Sequence, residues 1–424
     1  MIERHRTQQF IKDLDKLIDQ LLPRSVSRAT RDWVKGKLVG PALDSLRELI
    51  LENRPPVIFL IGRTGHGKSS LINALCGKHV APVGVVKPTT PEAKPYHVLF
   101  NEGRISWDVI DTRGLFEVAS PTGGPSEDVA ELLIADMAKY KPDIVLHVIS
   151  MSEVRGMSPD LTTIQKIMRR AAAKAGRTIP TIVALTKADL IGNPREWPPE
   201  AHPPKGGQIV ESVRFMAHDV LGIGQEQVTP LRFETPLYGY HSPEHEAYKG
   251  IIPIGGLWET PEAWNVDLLQ EVVGEELPRE SQLDYYQGLQ RKDLLRKLAR
   301  KVTKHFAEIS GGVGAAPLPI ADMAVLSPLQ VLLVVIIGGL SCRAVAKETF
   351  KEYALSVGLT GGVGYALRTA AQQLVKLIPI PGAGSAISAG IAYGGTLAIG
   401  KSAERYFFGG ERVPPVIERA PVDE

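Results

Sequence analysis

Apolar residues follow three successive patterns along this chain. In the first, Phe10, Ile11, Leu14, Leu17, Ile18, Leu21 and Leu22 recur at helical spacing up to Pro23. A second helix is expected around Trp33, Val34 and Leu38, stopping at Gly40, with Pro41 placed as the first residue of a third. After Pro55-Pro56 the rhythm changes to uninterrupted apolar runs, Val57–Ile61, Ile144–Ile149 and Ile182–Leu185, as expected of strands buried on both faces. Helices are expected over Lys68–Cys76 and from about Pro159 to Ala175, and a hairpin where Tyr96–Phe100 and Ile105–Ile110 flank Asn101–Arg104. Alternating strands and helices with one hairpin predict an α/β fold. Its sheet is mostly parallel with one antiparallel strand, and its helices lie on both faces. The Pro-rich stretch Asn193–Gly207 reads as a surface loop, and Val228–Phe233 as a further strand.

Beyond Val266 the strands are expected to cease. A charged helical stretch, Leu283–Phe306, leads into a third pattern that is almost free of charge. Met323–Cys342 is 20 residues and Leu377–Gly400 is 24 residues without Asp, Glu, Lys or Arg. Pro317-Leu-Pro-Ile-Ala-Asp322 is echoed by Pro379-Ile-Pro-Gly-Ala-Gly384, which suggests two related helical hairpins. The expected organisation is therefore a helical segment over 1–54, the α/β domain over 55–265, a Gly-rich apolar helical domain over 266–408 and a loose tail over 409–424. An all-α unit built from the amino- and carboxyl-terminal segments would accompany the α/β domain.

Composition narrows the function. With 424 residues, two or three domains are expected. Lys plus Arg is 49 against 47 for Asp plus Glu, a formal charge of +2, which argues against a dedicated nucleic-acid binder. Two cysteines, Cys76 and Cys342, make no disulfide framework, so a reducing compartment is expected. The opening Met1–Arg6 is charged and carries no apolar secretory stretch. Glycine (41) and proline (32) are plentiful without low complexity, so their positions carry information.

The first candidate chemistry is Gly62-Arg63-Thr64-Gly65-His66-Gly67-Lys68-Ser69, followed by Ser70. It fits G-x-x-x-x-G-K-[ST] and lies between an expected strand and helix, the context the motif requires. Glycines let successive backbone N–H groups point at phosphate oxygens, and the helix N-terminus adds its dipole. Lys68 would contact the β- and γ-phosphates, and the Ser69 hydroxyl would hold Mg²⁺. A second candidate, Asp111-Thr-Arg-Gly114, ends a strand. Asp111 could hold Mg²⁺ through water from the opposite side, and the Gly114 N–H could approach the γ-phosphate. A third, Thr186-Lys187-Ala188-Asp189, follows a buried strand. The Asp189 carboxylate could accept from both the ring N–H and the exocyclic amine of guanine, and the Lys187 stem could lie on the base.

The ordered set Gly62–Ser69, Thr89/Thr90, Asp111–Gly114 and Thr186–Asp189 resembles the four leading motifs of translation-factor-class GTPases, and Lys87-Pro-Thr-Thr90 is most similar to the Era branch. That resemblance implies a P-loop GTPase fold over Pro55–Asp267, GTP hydrolysed to GDP, and Mg²⁺ held by Ser69, Asp111 and a switch threonine. Thr90 is the choice for that threonine, with Thr89 next to it, and Lys68, Thr90 and Gly114 would serve catalysis. Departures from the pattern matter. Thr186 stands where the family usually has Asn, a change shared with dynamin-like and immunity-related GTPases, and it is expected to weaken the bridge to the P-loop. Leu115 stands where Ras-like proteins place a catalytic Gln, so water positioning must fall to another group, such as His66, Arg63 or Arg113, or to a partner in trans. A fifth, Ser-Ala-type base motif is not visible; Val228–Phe233 should lead into it. Slow turnover is expected in the isolated chain, with acceleration on self-association.

No paired metal spacing occurs among cysteines and histidines; His241 and His245 read as solvated loop residues. For the apolar carboxyl-terminal region, three readings stay open: stable spanning, reversible membrane contact through residues 311–400, or a soluble helical core. Gly358-x-x-x-Gly362 and Gly390-x-x-x-Gly394 have close-packing spacing. The region resembles the YcjF-type domain of unknown function found behind such GTPase domains, and the overall plan is similar to immunity-related GTPases. That resemblance implies a cytoplasmic protein, peripheral or integral at a membrane, with a possible homodimer through the GTPase domain and no nucleic acid. Alternatives are a GTP-binding switch with negligible turnover, a ribosome-assembly GTPase and an ATP-using P-loop enzyme.

Overall fold

A computed structural model describes residues 53–81, 93–100, 105–112, 127–156, 158–257, 263–315, 321–341, 343, 347–356 and 385–409. Thr89, Thr90, Arg113, Gly114, Leu115, Gly358, Gly362, the amino-terminal helices and the carboxyl-terminal tail lie outside the described residues. The chain divides into two compact units, one covering Arg54–Leu289 and one containing the described residues from Gln290 onward.

In chain order the first unit contains β1 (Val57–Ile61), α1 (Lys68–Cys76), β2 (Lys94–Phe100), β3 (Ile105–Asp111), α2 (Glu127–Tyr140), β4 (Ile144–Ser150) and α3 (Ser158–Ala175). It continues with β5 (Thr181–Thr186), α4 (Pro203–Arg214), β6 (Thr229–Pro230), β7 (Tyr240–His241), β8 (Tyr248–Pro253), α5 (Val266–Glu276) and α6 (Arg279–Leu289). One sheet runs in the order β2-β3-β1-β4-β5-β8-β7-β6. Strands β3, β1, β4, β5 and β8 pair in parallel, as their continuous apolar runs require. Strand β2 is antiparallel to β3 in the expected hairpin.

The far edge departs from expectation. Val228–Phe233 supplies only the two-residue β6, which pairs antiparallel with β7, and β7 pairs antiparallel with β8. The fifth parallel strand is β8 instead. Pro230 contributes no backbone donor, and Arg232 adopts a left-handed conformation (φ 64°), so this stretch cannot extend as a central strand. The expected loop over Asn193–Gly207 also ends early. Pro203 and Pro204 occupy the first turn of α4, where a missing N–H costs nothing.

One face of the sheet is covered by α2 and α3, whose Leu133, Ile134, Met137, Ile164 and Ile167 pack on Phe59, Ile61 and Val145. On the same face α4 presents Ile209 and Val213 to Ile149, Val183 and Leu185. Helices α1, α5 and α6 lie on the other face. There Trp107 is fully buried, stacked on Tyr285 with ring centres 4.8 Å apart. Its Nε1 donates to the Asp284 carbonyl at 3.1 Å. At the amino end of the sheet the buried Asp143 carboxylate accepts from both terminal nitrogens of Arg54 (2.7 and 2.6 Å) and from the Val57 N–H (2.9 Å). Both α5 and α6, which the hydrophobic pattern assigned to the carboxyl-terminal domain, group with the sheet.

The second unit contains α7 (Lys292–Ala315), α8 (Ala321–Leu340), α9 (Lys347–Ser356) and α10 (Ser385–Glu404). Every residue from Leu329 to Leu340 is buried, so this stretch of α8 has no solvent-facing polar stripe. A helix apolar all round is accounted for by enclosure, here by α7, α9 and α10. Among the described residues no helix is long and apolar enough to cross a membrane. Close packing at glycine is observed where Gly400 faces Thr303 and Gly338 faces Thr349. At Gly390 and Gly394 no described atom lies within 4 Å of a Cβ position, so that spacing marks no close contact here.

Candidate functional site

Strand register brings the sequence motifs to one edge. Leu60 pairs with Asp111, Ile61 with His147, Ser150 with Thr186 and Leu185 with Pro253. The carboxyl ends of β1, β3, β4, β5 and β8 therefore align. Because β1 is flanked by β3 and β4, the chain leaves it at the point where strand order reverses, the usual position of a ligand crevice in such sheets.

The loop Gly62–Gly67 leaves β1 and enters α1. A Cβ at Gly62 would stand 2.3 Å from the Val148 carbonyl oxygen, and Gly67 has φ 89°, so both positions require glycine. The Lys68 ammonium donates to the carbonyls of Gly62 (2.8 Å) and Arg63 (3.1 Å), which lays its side chain back across the loop. Ser69 and Ser70 follow in the first turn of α1 and are partly buried, while Thr64 and Gly65 at the loop tip are exposed.

His66 is not a loop residue open to water. It is 1% exposed; one ring nitrogen lies 3.1 Å from the Val148 carbonyl and the other 3.0 Å from Glu153. Glu153 also lies 3.8 Å from Arg63. These contacts hold the loop against β4 and the turn after it. Behind it, burial holds the fully enclosed His147 at about 3, reinforced by His66, so that ring is neutral. Cys76 at the end of α1 is also buried, which pushes its thiol up to about 12 and makes it a poor nucleophile.

Asp111 is fully buried at the end of β3, one strand from the loop. The next residue, Thr112, donates its hydroxyl to the Leu60 carbonyl at 2.7 Å and fixes the chain where it leaves the sheet.

At the end of β5, the Thr186 hydroxyl lies 2.6 Å from the His66 carbonyl and 3.2 Å from that of Ile149, so its single proton bridges to the P-loop. A hydroxyl makes this bridge where the family pattern has an amide, because β5 and the loop are close. Lys187 takes a left-handed conformation (φ 60°), which turns the chain into a short helical turn over Ala188–Leu190. Within it Asp189 is 9% exposed, and its Oδ1 accepts from the Gly256 N–H at 3.0 Å.

Gly256, beside Asp189, lies after β8 and not after Val228–Phe233. The extension of β8 is held by Ile254 N–H to the Leu185 carbonyl (2.7 Å) and Ala188 N–H to the Ile254 carbonyl (3.0 Å). Leu257 and Thr186 both approach Gly67. The signal available was the apolar run Tyr248–Ile254 ending in Gly255-Gly256. Backbone donors, however, carry no side-chain signature. His241 is likewise not a solvated loop residue: it lies in β7 with Nε2 2.9 Å from Glu276. No cluster of metal-ligating side chains occurs among the described residues.

Comparison with known proteins agrees with this geometry. Residues 57–187 match the family model of the 50S ribosome-binding GTPases. The tRNA modification GTPase MnmE of Proteus mirabilis is 29% identical over 198 residues, which is 45% of this chain and 39% of that protein. The chain thus matches well under half the length of this relative. Among solved structures, a dimerization-deficient mutant of Toc33 from Arabidopsis thaliana superposes with TM-score 0.34 at 16% identity, covering 60% of this chain and 94% of that one. Era in complex with MgGDPNP and a segment of 16S ribosomal RNA gives TM-score 0.33 at 17% identity, covering 53% and 58%. The sheet unit has the P-loop GTPase fold, accompanied by a helical region.

Proposed function

We propose that this protein binds GTP with Mg²⁺ and hydrolyses it to GDP and phosphate, and that nucleotide state is read by its helical unit. The observation that carries the reading is the convergence of three motifs on one sheet edge: the loop before α1, the buried Asp111 and the Thr186–Asp189 turn, joined by the 2.6 Å Thr186-to-His66 bond. A coincidental glycine loop gives no reason for that linkage.

The residues present fit a magnesium ion. Ser69 offers a hydroxyl in the first turn of α1 and Asp111 a carboxylate at the end of β3, a set of hard oxygen donors. Thr90 is proposed as the third protein contact. Bound there, the ion would neutralise charge developing between the β- and γ-phosphates. The Lys68 ammonium exchanges its two carbonyl acceptors for phosphate oxygens, the backbone N–H groups of Gly65 and Gly67 turn toward the same anion, and Gly114 is proposed to approach the γ-phosphate. Asp189 reads the base through the acceptor capacity left after its bond to Gly256. Lys187 and Thr64 complete the cradle.

Since His66 is occupied and Leu115 has no polar group, Arg63, Arg113 or a group supplied in trans positions the attacking water. Turnover is therefore slow in dilute protein and rises with self-association, and membrane contact through 311–400 is proposed to promote it. The test measures binding of fluorescent GDP and GTP, then phosphate release at rising protein concentration with and without liposomes. Lys68→Ala should abolish binding, and Asp189→Asn should move preference from guanine to xanthine nucleotides. Equal affinity for ATP and GTP, or a rate per molecule independent of concentration and liposomes, would sink the corresponding part of the reading. GTP bound without any phosphate release would favour a switch over an enzyme.

A further inference from the structure

Lys205 is a lysine that its surroundings make costly. It lies in the first turn of α4 and is 1% exposed. Lysine is almost never fully buried, and removing an ammonium from water costs several kcal/mol before compensation. A cation in the first turn of a helix also opposes the helix dipole. Neither helix propensity nor apolar packing explains the residue, so its hydrogen bonds must.

Those bonds converge on the base-reading turn. The Lys205 ammonium donates to the Asp189 carbonyl at 2.6 Å and to the Asn193 carbonyl at 2.8 Å, closing the ends of the turn onto one charge. It lies 5.6 Å from the centre of the Trp197 ring, and Trp197 packs against Gly255, where a Cβ would be 2.3 Å away. Asp189 is consequently held at three points: the Ala188 N–H to Ile254, its Oδ1 to the Gly256 N–H, and its carbonyl to Lys205. The first two fix the turn to β8, and Lys205 fixes it from the α4 side. Desolvation lowers the ammonium from the ordinary lysine value, while the Asp189 and Glu196 charges oppose that shift.

We propose that Lys205 is a positioning residue that sets the selectivity of this site for 2-amino-6-oxopurine nucleotides. The inference rests on the reading of Asp189 as the base contact. A guanine offers Asp189 two donors, the ring N1–H and the exocyclic amine, and both must meet one carboxylate in a fixed orientation. Hypoxanthine offers only the ring N–H. A carboxylate on a loosened turn still accepts one hydrogen bond but loses the second, so releasing the turn reduces preference for guanine more than it reduces affinity for phosphate.

The experiment uses the full chain and compares affinities for GDP, IDP and ADP. Wild type should prefer GDP over IDP by about ten- to a hundredfold, the size of one hydrogen bond to a charged group. Lys205→Met keeps the length and removes the charge; its GDP-to-IDP preference should fall to about threefold or less, with IDP affinity little changed. Lys205→Gln, which keeps a donor, should fall between the two, and an exposed-site control, Lys166→Met, should match wild type. If Lys205→Met does not melt cooperatively, Lys205→Gln decides: an unchanged preference in that variant overturns the proposal. So does a Lys205→Met protein that binds GDP and IDP equally more weakly, since that is the mark of a purely structural role. Wild type binding ADP as tightly as GDP would instead remove the underlying reading of Asp189.

Discussion

Thr186 shows how one hydroxyl can replace an amide when the backbone places it well. Its side chain is fully buried and spans from β5 to the His66 carbonyl at 2.6 Å. Replacing it with valine keeps the volume and leaves that carbonyl unsatisfied inside the protein, at a cost of about 1–3 kcal/mol. Thr186→Val should therefore weaken GDP binding by roughly five- to a hundredfold, whereas Thr186→Ser, which keeps the hydroxyl, should remain close to wild type. Titration with fluorescent GDP checks both; a valine variant with wild-type affinity would show that the bridge contributes nothing to the site. At this scale the sequence displayed every side chain whose chemistry has a spacing: Lys68, Ser69, Asp111 and Asp189. It did not display the Gly256 N–H, because any residue but proline supplies one. Nor did it display Lys205, which reads as an ordinary surface charge in a Pro-rich stretch until α4 folds and encloses it. His66 is the reverse case, since an x position in a glycine loop carries no burial signal, yet Glu153 and Val148 capture its ring.

Among the elements, continuous apolar runs identified β1, β4 and β5, because a strand covered on both faces has no polar alternation to disguise it. The fifth parallel strand was harder. Lys249 and Gly250 interrupt β8, and the stretch Val228–Phe233 has as many β-branched and aromatic residues, so propensity does not separate them; three-dimensional pairing selects β8. Helix α6 was assigned to the wrong side of the domain boundary because its amphipathic pattern does not say which surface its apolar side chains cover. Here they cover Trp107 on β3, the strand that ends at Asp111. Gly288 makes this approach possible: a Cβ there would lie 2.6 Å from Trp107 Nε1. The indole cannot swing aside, because it is stacked on Tyr285 and donates to Asp284. Gly288→Ala should therefore destabilise the protein by about 1–3 kcal/mol despite alanine's better helix propensity. Urea unfolding followed by tryptophan fluorescence checks this, and a midpoint equal to or above wild type would mean that α6 shifts without cost.

At the scale of the molecule, near-neutral charge and ordinary composition average over two units of different construction. The unit Arg54–Leu289 is organised around a sheet with a ligand crevice, and the unit beyond it around the enclosed helix α8. The charge-free sequence of α8 left membrane spanning and a helical core equally legible, since hydrophobicity alone does not name the solvent that is excluded. Burial from Leu329 to Leu340 shows a core in which that apolar surface is satisfied within its own unit. Two constructions imply two stabilities that can be moved separately. A ligand bound to the folded sheet unit raises that unit's stability by mass action, about 2.7 kcal/mol at a hundred times its dissociation constant. In the other unit, Gly400 of α10 packs on α7, where a Cβ would lie 2.2 Å from Thr303 Cγ2. Gly400→Val should wedge these helices apart and cost about 1–3 kcal/mol by overpacking. Differential scanning calorimetry should then resolve two transitions: GDP with Mg²⁺ raises one by several degrees, and Gly400→Val lowers the other while leaving GDP affinity unchanged. A single transition moved equally by ligand and substitution would mean that the two units unfold as one body, and that the helical unit depends on the nucleotide site for its stability.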